Sequence, residues 1–173
     1  MPTCDPMERP DDHGAWGTFY LTGPGVMATG DLSGDDSRVI MDRVIPFVRR
    51  AAATRRPFFA AVWFHAPHRP LVACEPYRAL YAGKEYADYY GTITAMDEQI
   101  GRLRDELRSL GIENDTMLWF LSDNGPEIGD PGSAGPFRGG KNSLYEGGVR
   151  VPALLVWPRR FKDGVSRLSR TTS

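Results

Sequence analysis

Long apolar runs are missing from this chain. The longest uninterrupted one, residues 58–64 (FFAAVWF), falls far short of the ~20 residues a membrane-crossing helix needs, so no membrane partner is expected. Charge of one sign is lacking too. There are 21 Lys and Arg against 22 Asp and Glu, for a formal net charge of −1, and no basic field points to nucleic acid. Cysteine is scarce: Cys4 and Cys74 lie far apart and form no metal-ligand spacing. A disulfide between them stays open, and the redox compartment with it. The first residues, MPTCDPMERPDD, hold no apolar region that would direct export. What remains is 41% hydrophobic and 25% charged over 173 residues, the balance of soluble globular material.

Residues 1–34 are rich in Pro, Gly and Asp without a sustained period and read as mostly loop. Ser33-Gly34-Asp35-Asp36 then offers a cap and first-turn acids for a helix. Its apolar face is predicted at Ile40, Val44, Phe47 and Ala51, with a bend at Pro46. Arg49, Arg50, Arg55 and Arg56 near its end suit either an anion site or a solvated helix terminus. Residues 58–64 are predicted to form a buried strand ending in His65-Ala66-Pro67-His68-Arg69-Pro70. Residues 71–86 read as irregular. Ile93, Met96, Ile100, Leu103, Leu107 and Leu110 step by three and four, an amphipathic helix that Gly111 ends. The tail, 161–173, is polar. Helix followed by strand occurs twice, which predicts an α/β fold with a mostly parallel sheet covered by helices on both faces.

The chemistry gathers in residues 116–150. Met117 to Leu121 form a short apolar run, predicted as a strand buried on both faces. It stops at Ser122-Asp123-Asn124-Gly125-Pro126, all turn formers. A carboxylate and an amide at a strand's C-terminal end sit where α/β sheets keep ligands, and their oxygens suit Ca²⁺ or Mg²⁺. Asn-Gly is equally a common tight turn. Gly135-Pro136-Phe137-Arg138-Gly139-Gly140-Lys141 follows, then Leu144-Tyr145-Glu146-Gly147-Gly148-Val149-Arg150-Val151-Pro152.

Taken in that order, SDNGPE, GGK and YEGG-x-R-x-P resemble the sulfatase family of the alkaline-phosphatase superfamily. The resemblance implies an alkaline-phosphatase-like fold and metal-assisted hydrolysis of sulfate monoesters, with an aryl or carbohydrate ester as substrate. It implies metal-ligand roles for Asp123 and Asn124, with Ca²⁺ the expected cation, and contact with the sulfate group for Lys141 and His68. His65 is a weaker candidate beside them. A periplasmic or secreted location is implied for the family, though no residue here shows it. The family's nucleophile is a formylglycine made from a Cys- or Ser-x-Pro-Ser-Arg motif. Cys4-Asp5-Pro6 is followed by Met7-Glu8 instead, and Asp11-Asp12-His13 imitates the family's acidic metal pair without the strand before it. Both are read as coincidences. The expected organisation is therefore an irregular segment over 1–34, a partial catalytic domain over 35–160 and a tail over 161–173. Such a fragment should be inactive in isolation. Phosphate or phosphonate monoester hydrolysis within the superfamily is the alternative, as is a non-catalytic role. A phosphate-binding loop at Gly135-x-x-x-x-Gly140-Lys141 is disfavoured because Asn142 stands where Ser or Thr should hold Mg²⁺.

Overall fold

The computed structural model describes residues 20–161. The chain divides into two compact units, Met1–Glu106 and Leu107–Ser173. The first opens on a hairpin of β1 (Leu21–Gly23) and β2 (Val26–Met27). Pro24 and Gly25 turn it, with Gly25 at a φ of 68° that favours glycine. The sequence signal was that Pro-Gly pair, inside a region read as loop.

Helix α1 spans Asp36–Ala53 and continues through Pro46. Asp35 caps it as expected, its Oδ1 accepting from the Ser37 amide at 2.9 Å. The buried face is not the predicted one. Val39, Met41, Ile45 and Val48 are buried, whereas Phe47 is exposed and Ile40, Val44 and Ala51 are half-buried. The helix carries two apolar stripes, and the 41-45-48 stripe has the same three-and-four spacing as the one chosen. Ile40 and Val44 instead line a cavity of about 240 Å³ with Leu21, Val62 and Trp63. Burying each of the four core side chains stabilises the unit by roughly 1.5–3 kcal/mol.

Helix α3 (Ala87–Ser109) runs where the periodicity put it. Met96, Leu103 and Leu107 are buried, with Thr92, Ala95 and Gln99 beside them. Gly111 ends it at a φ of 69°. The Ile112 amide reaches back to the Leu107 carbonyl and the Gly111 amide to that of Arg108, the pairing of a Schellman cap. Charges fasten α1 to α3. Asp42 receives Arg38 at 2.7 Å and Arg102 at 2.5 Å, and Arg49 grips Glu106 through two hydrogen bonds of 2.8 and 2.7 Å.

The 71–86 stretch is not wholly irregular. It holds α2 (Glu75–Ala79), which Pro76 starts. The Ala73 amide donates to Asp88 at 3.1 Å, and the Tyr81 hydroxyl meets Thr94 at 2.7 Å. A Cβ on Gly91 would lie 2.6 Å from that of Ala73, so glycine permits the approach. Cys74 is disulfide-bonded.

Residues 58–64 form no strand and pair with none among the described residues, and Phe59 and Trp63 are 88% and 87% exposed. The expectation of a buried strand is corrected here: Phe59, Ala60, Ala61 and Trp63 are exposed, and only Phe58, Val62 and Phe64 are half-buried. In the second unit, β3 (Leu118–Leu121) pairs antiparallel with β4 (Ala153–Val156), Leu118 opposite Val156. Trp119 and Leu121 are exposed while Leu118 and Phe120 are half-buried, so one face of β3 is open where both were expected closed. The described elements make an incomplete α/β arrangement, and both strand pairs are antiparallel. The expected parallel sheet is not formed among them. The periodicity that identifies a strand says nothing about which strand lies beside it.

Candidate functional site

After β3 the chain makes a tight turn, the Ser122 hydroxyl donating to the Asn124 carbonyl at 2.8 Å. Three backbone hydrogen bonds of 2.8 Å then tie this turn to the later loops. The Gly125 amide donates to the Gly148 carbonyl, the Lys141 amide to that of Pro126, and the Gly147 amide to that of Arg138. SDNGPE, GGK and YEGG are thereby one knot rather than three separate turns.

The glycines follow from how closely those backbones pass. A Cβ would lie 1.8 Å from the Gly147 oxygen if placed on Gly125, and 2.6 Å from the Pro126 oxygen if placed on Gly140. On Gly147 it would lie 2.2 Å from the Gly139 oxygen, and on Gly148 2.1 Å from that of Ser143. No side chain fits at any of the four, and all four residues are buried. Glycine is here a packing requirement more than a turn preference.

The side chains around the knot are polar and accessible. Asp123 is exposed, while Asn124 and Lys141 are half-buried. The Lys141 ammonium lies 3.8 Å from a Glu127 carboxylate oxygen, a neighbour that no motif singles out. Two arginine-aromatic stacks brace the loop: Arg138 over Tyr145 at 4.0 Å and Arg150 over Phe137 at 4.3 Å. Arg150 also pairs with Glu146 at 3.1 Å. Residues 141 and 142 form a turn, with Asn142 at a φ of 67°. No helix starts at Lys141, unlike a phosphate-binding loop.

His68 belongs to the first unit. Its amide donates to the His65 carbonyl at 2.8 Å, and its Nδ1 lies 2.7 Å from the Arg69 carbonyl. A carbonyl only accepts, so Nδ1 carries the hydrogen. In the neutral ring Nε2 is then the basic nitrogen. The two imidazoles meet edge to face, with centroids 5.2 Å apart. Partial burial, and then the nearby His68 ring, push the His65 pKa below its ordinary value. The structure thus joins Asp123, Asn124 and Lys141 through backbone contacts in one unit and places both histidines in the other.

Among the described residues no group of three or more His, Cys, Asp or Glu is arranged to hold a metal ion. Asp123 and Asn124 offer hard oxygens alone. Those donors fit a Ca²⁺ or Mg²⁺ ion but supply only part of the ~6–8 ligands that Ca²⁺ takes. Cys4 and the Asp11-Asp12 pair lie outside the described residues.

Against known proteins, the Sulfatase family model matches residues 5–173. The chain is 32% identical over 152 residues to N-acetylgalactosamine-6-sulfatase of Canis lupus familiaris, covering 86% of this chain and 28% of that protein. It is 36% identical over 137 residues to steryl-sulfatase of Mus musculus, covering 74% and 21%. A crystal structure of Ps i-CgsB in complex with k-i-k-neocarrahexaose superposes with a TM-score of 0.71 at 30% identity, over 78% of this chain and 30% of that one. The chain thus spans less than a third of the length of these relatives. Its glycine knot and ordered motifs agree with the match that covers nearly all of it, and the chain belongs to the sulfatase family.

Proposed function

We propose that this chain supplies part of the active site of a sulfuric ester hydrolase. The observation that carries this is the glycine knot, which holds the Asp123-Asn124 pair and Lys141 on hydrogen-bonded backbone segments. Asp123 and Asn124 would hold a divalent cation, Ca²⁺ by family resemblance. When bound, that ion neutralises charge building on the transferring sulfuryl group. Lys141 would act on the same oxygens as a compact positive charge. His68, with Nε2 as its basic nitrogen, would share or carry the leaving group's proton.

The substrate is proposed to be a sulfated carbohydrate or an aryl sulfate. One superposing structure is a complex with k-i-k-neocarrahexaose, as its name states, and this supports the carbohydrate. In the whole protein, residues 58–64 are proposed to join a mostly parallel sheet, which would cover the faces now open. The nucleophile is expected to be formylglycine. This sequence contains no Cys- or Ser-x-Pro-Ser-Arg segment to provide it, so the chain by itself should bind metal weakly and turn over nothing. Incubating the purified chain with an aryl sulfate and excess Ca²⁺ tests this. Sulfate release above the blank would overturn it.

A further inference from the structure

Lys141 is the proposed cation for the sulfate group, and beside it stands a carboxylate that the proposed chemistry does not use. A Glu127 carboxylate oxygen lies 3.8 Å from the Lys141 ammonium. Backbone contacts put it there. The Lys141 amide donates to the Pro126 carbonyl at 2.8 Å, in the peptide unit that leads into Glu127. Gly140 permits that approach, since a Cβ on it would meet the Pro126 oxygen at 2.6 Å. On its other side Glu127 is held by a turn, its carbonyl accepting from the Asp130 amide at 3.2 Å. The pair therefore follows from the register of the knot and not only from the reach of two long side chains. With the Lys141 side chain 26% exposed and that of Glu127 43%, such a pair adds little to stability. Its consequence lies in the charge it leaves at the site.

We propose that Glu127 is a specificity-determining residue, setting the Lys141 site for a monoanionic sulfate ester against a dianionic phosphate ester. It acts through the sulfate contact read above for Lys141, and rests on that reading. A sulfate monoester carries one negative charge. A phosphate monoester, with a second pKa of ~6, carries two in mild alkali. Both groups are tetrahedral, so the reach of a lysine does not tell them apart, whereas charge does. Glu127 offsets one unit of positive charge beside the ammonium and repels a bound anion in proportion to that anion's charge. With an ester oxygen ~2.8 Å beyond the ammonium, the carboxylate and the ester stand ~6 Å apart. One extra unit of charge at that distance, in surroundings between water and protein interior, changes an equilibrium by roughly three- to tenfold. The selection comes from a repulsion that the wrong ester feels more strongly than the right one. At 3.8 Å the pair is longer than a hydrogen bond, so Glu127 does this without drawing a Lys141 donor to itself.

The test is an NMR titration of the 173-residue chain in mildly alkaline buffer at fixed CaCl₂, with phenyl sulfate and phenyl phosphate as the probes. The quantity read is the ratio of their two dissociation constants, in which a general loss of affinity cancels. Glu127→Gln should move that ratio toward the phosphate ester by roughly three- to tenfold. Glu127→Ala should do the same, and it carries the test if the first variant fails to fold. Glu127→Asp keeps the charge and should keep the ratio close to wild type. Glu113→Gln removes the same charge from the 3₁₀ turn before β3, roughly 20 Å of extended chain from the Asp123 turn, and should leave the ratio as it is. Lys141→Ala should weaken both esters. A ratio unmoved in Glu127→Gln and Glu127→Ala, with both esters weakened in Lys141→Ala, would overturn the role of Glu127 alone. An equal shift in Glu113→Gln would overturn it as well. Unchanged binding of both esters in Lys141→Ala, or no binding of either by wild type, would remove the Lys141 reading and the role of Glu127 with it.

Discussion

Replacing Gly125 with alanine is the sharpest mechanical test of the knot. The new Cβ would start 1.8 Å from the Gly147 oxygen, whereas real Cβ atoms essentially never come within 3.0 Å of a neighbour. The two backbones must therefore part by at least about 1.2 Å. That displacement stretches the 2.8 Å bond between the Gly125 amide and the Gly148 carbonyl beyond useful length. Overpacking of this kind costs about 1–3 kcal/mol, and a lost buried hydrogen bond adds about 1 kcal/mol. The expected loss is about 2–4 kcal/mol, a large part of a typical domain stability of ~5–15 kcal/mol. Gly101→Ala is the matched control. It lies within α3, has an ordinary φ and has nothing within 4 Å of its would-be Cβ. Alanine there should stabilise by about 0.5–1 kcal/mol. Urea unfolding followed by circular dichroism measures both. A Gly125→Ala variant with an unchanged midpoint would refute the packing argument.

Three further outcomes follow from the charged and phenolic groups. Arg49 holds the Glu106 carboxyl below its ordinary 4.5; the pair's contribution is complete above that value and fades as pH falls through the lowered one. Glu106→Gln should therefore flatten this part of the acid limb in melting temperatures taken from pH 2.5 to 7. Burial raises the Asp35 pKa above 3.8 despite its bonds to Ser37. Ionising it thus costs stability as pH climbs from 3.8 through the raised value; Asp35→Asn should remove that slope, while Asp35→Ala should lose about 1 kcal/mol of helix capping. Burial, with Glu98 and Asp35 nearby, pushes the Tyr77 phenol up to about 12. An ultraviolet phenolate titration should show a tyrosine ionising last near that pH, absent in Tyr77→Phe.

The sequence was most informative where local physics decides the outcome. Asp35 as a cap, the long run from Ile93 to Leu107 and the stop at Gly111 all depend on neighbours a few residues away. The buried face of α1 is not legible in the sequence because two stripes have the same spacing and only tertiary neighbours choose between them. Residues 58–64 and 117–121 read as apolar strand-like segments, but apolar character does not say what covers a strand. Hence the exposed Trp63 and Trp119. In the site, the motif glycines were visible as letters, while their reason was not. Nothing in the spacing of Gly125, Gly140, Gly147 and Gly148 reveals that their backbones press on one another. Glu127 and the two arginine-aromatic braces were missed for the same reason.

The most direct test of the central claim is a crystal structure of the chain soaked with CaCl₂ and sodium sulfate. Asp123 and Asn124 should each place an oxygen ~2.3–2.6 Å from a calcium ion. The Lys141 ammonium should reach an oxygen of a sulfate on that same ion at ~2.7–2.9 Å. Calcium absent from the Asp123-Asn124 turn, or sulfate bound elsewhere with Lys141 turned away, would contradict the account.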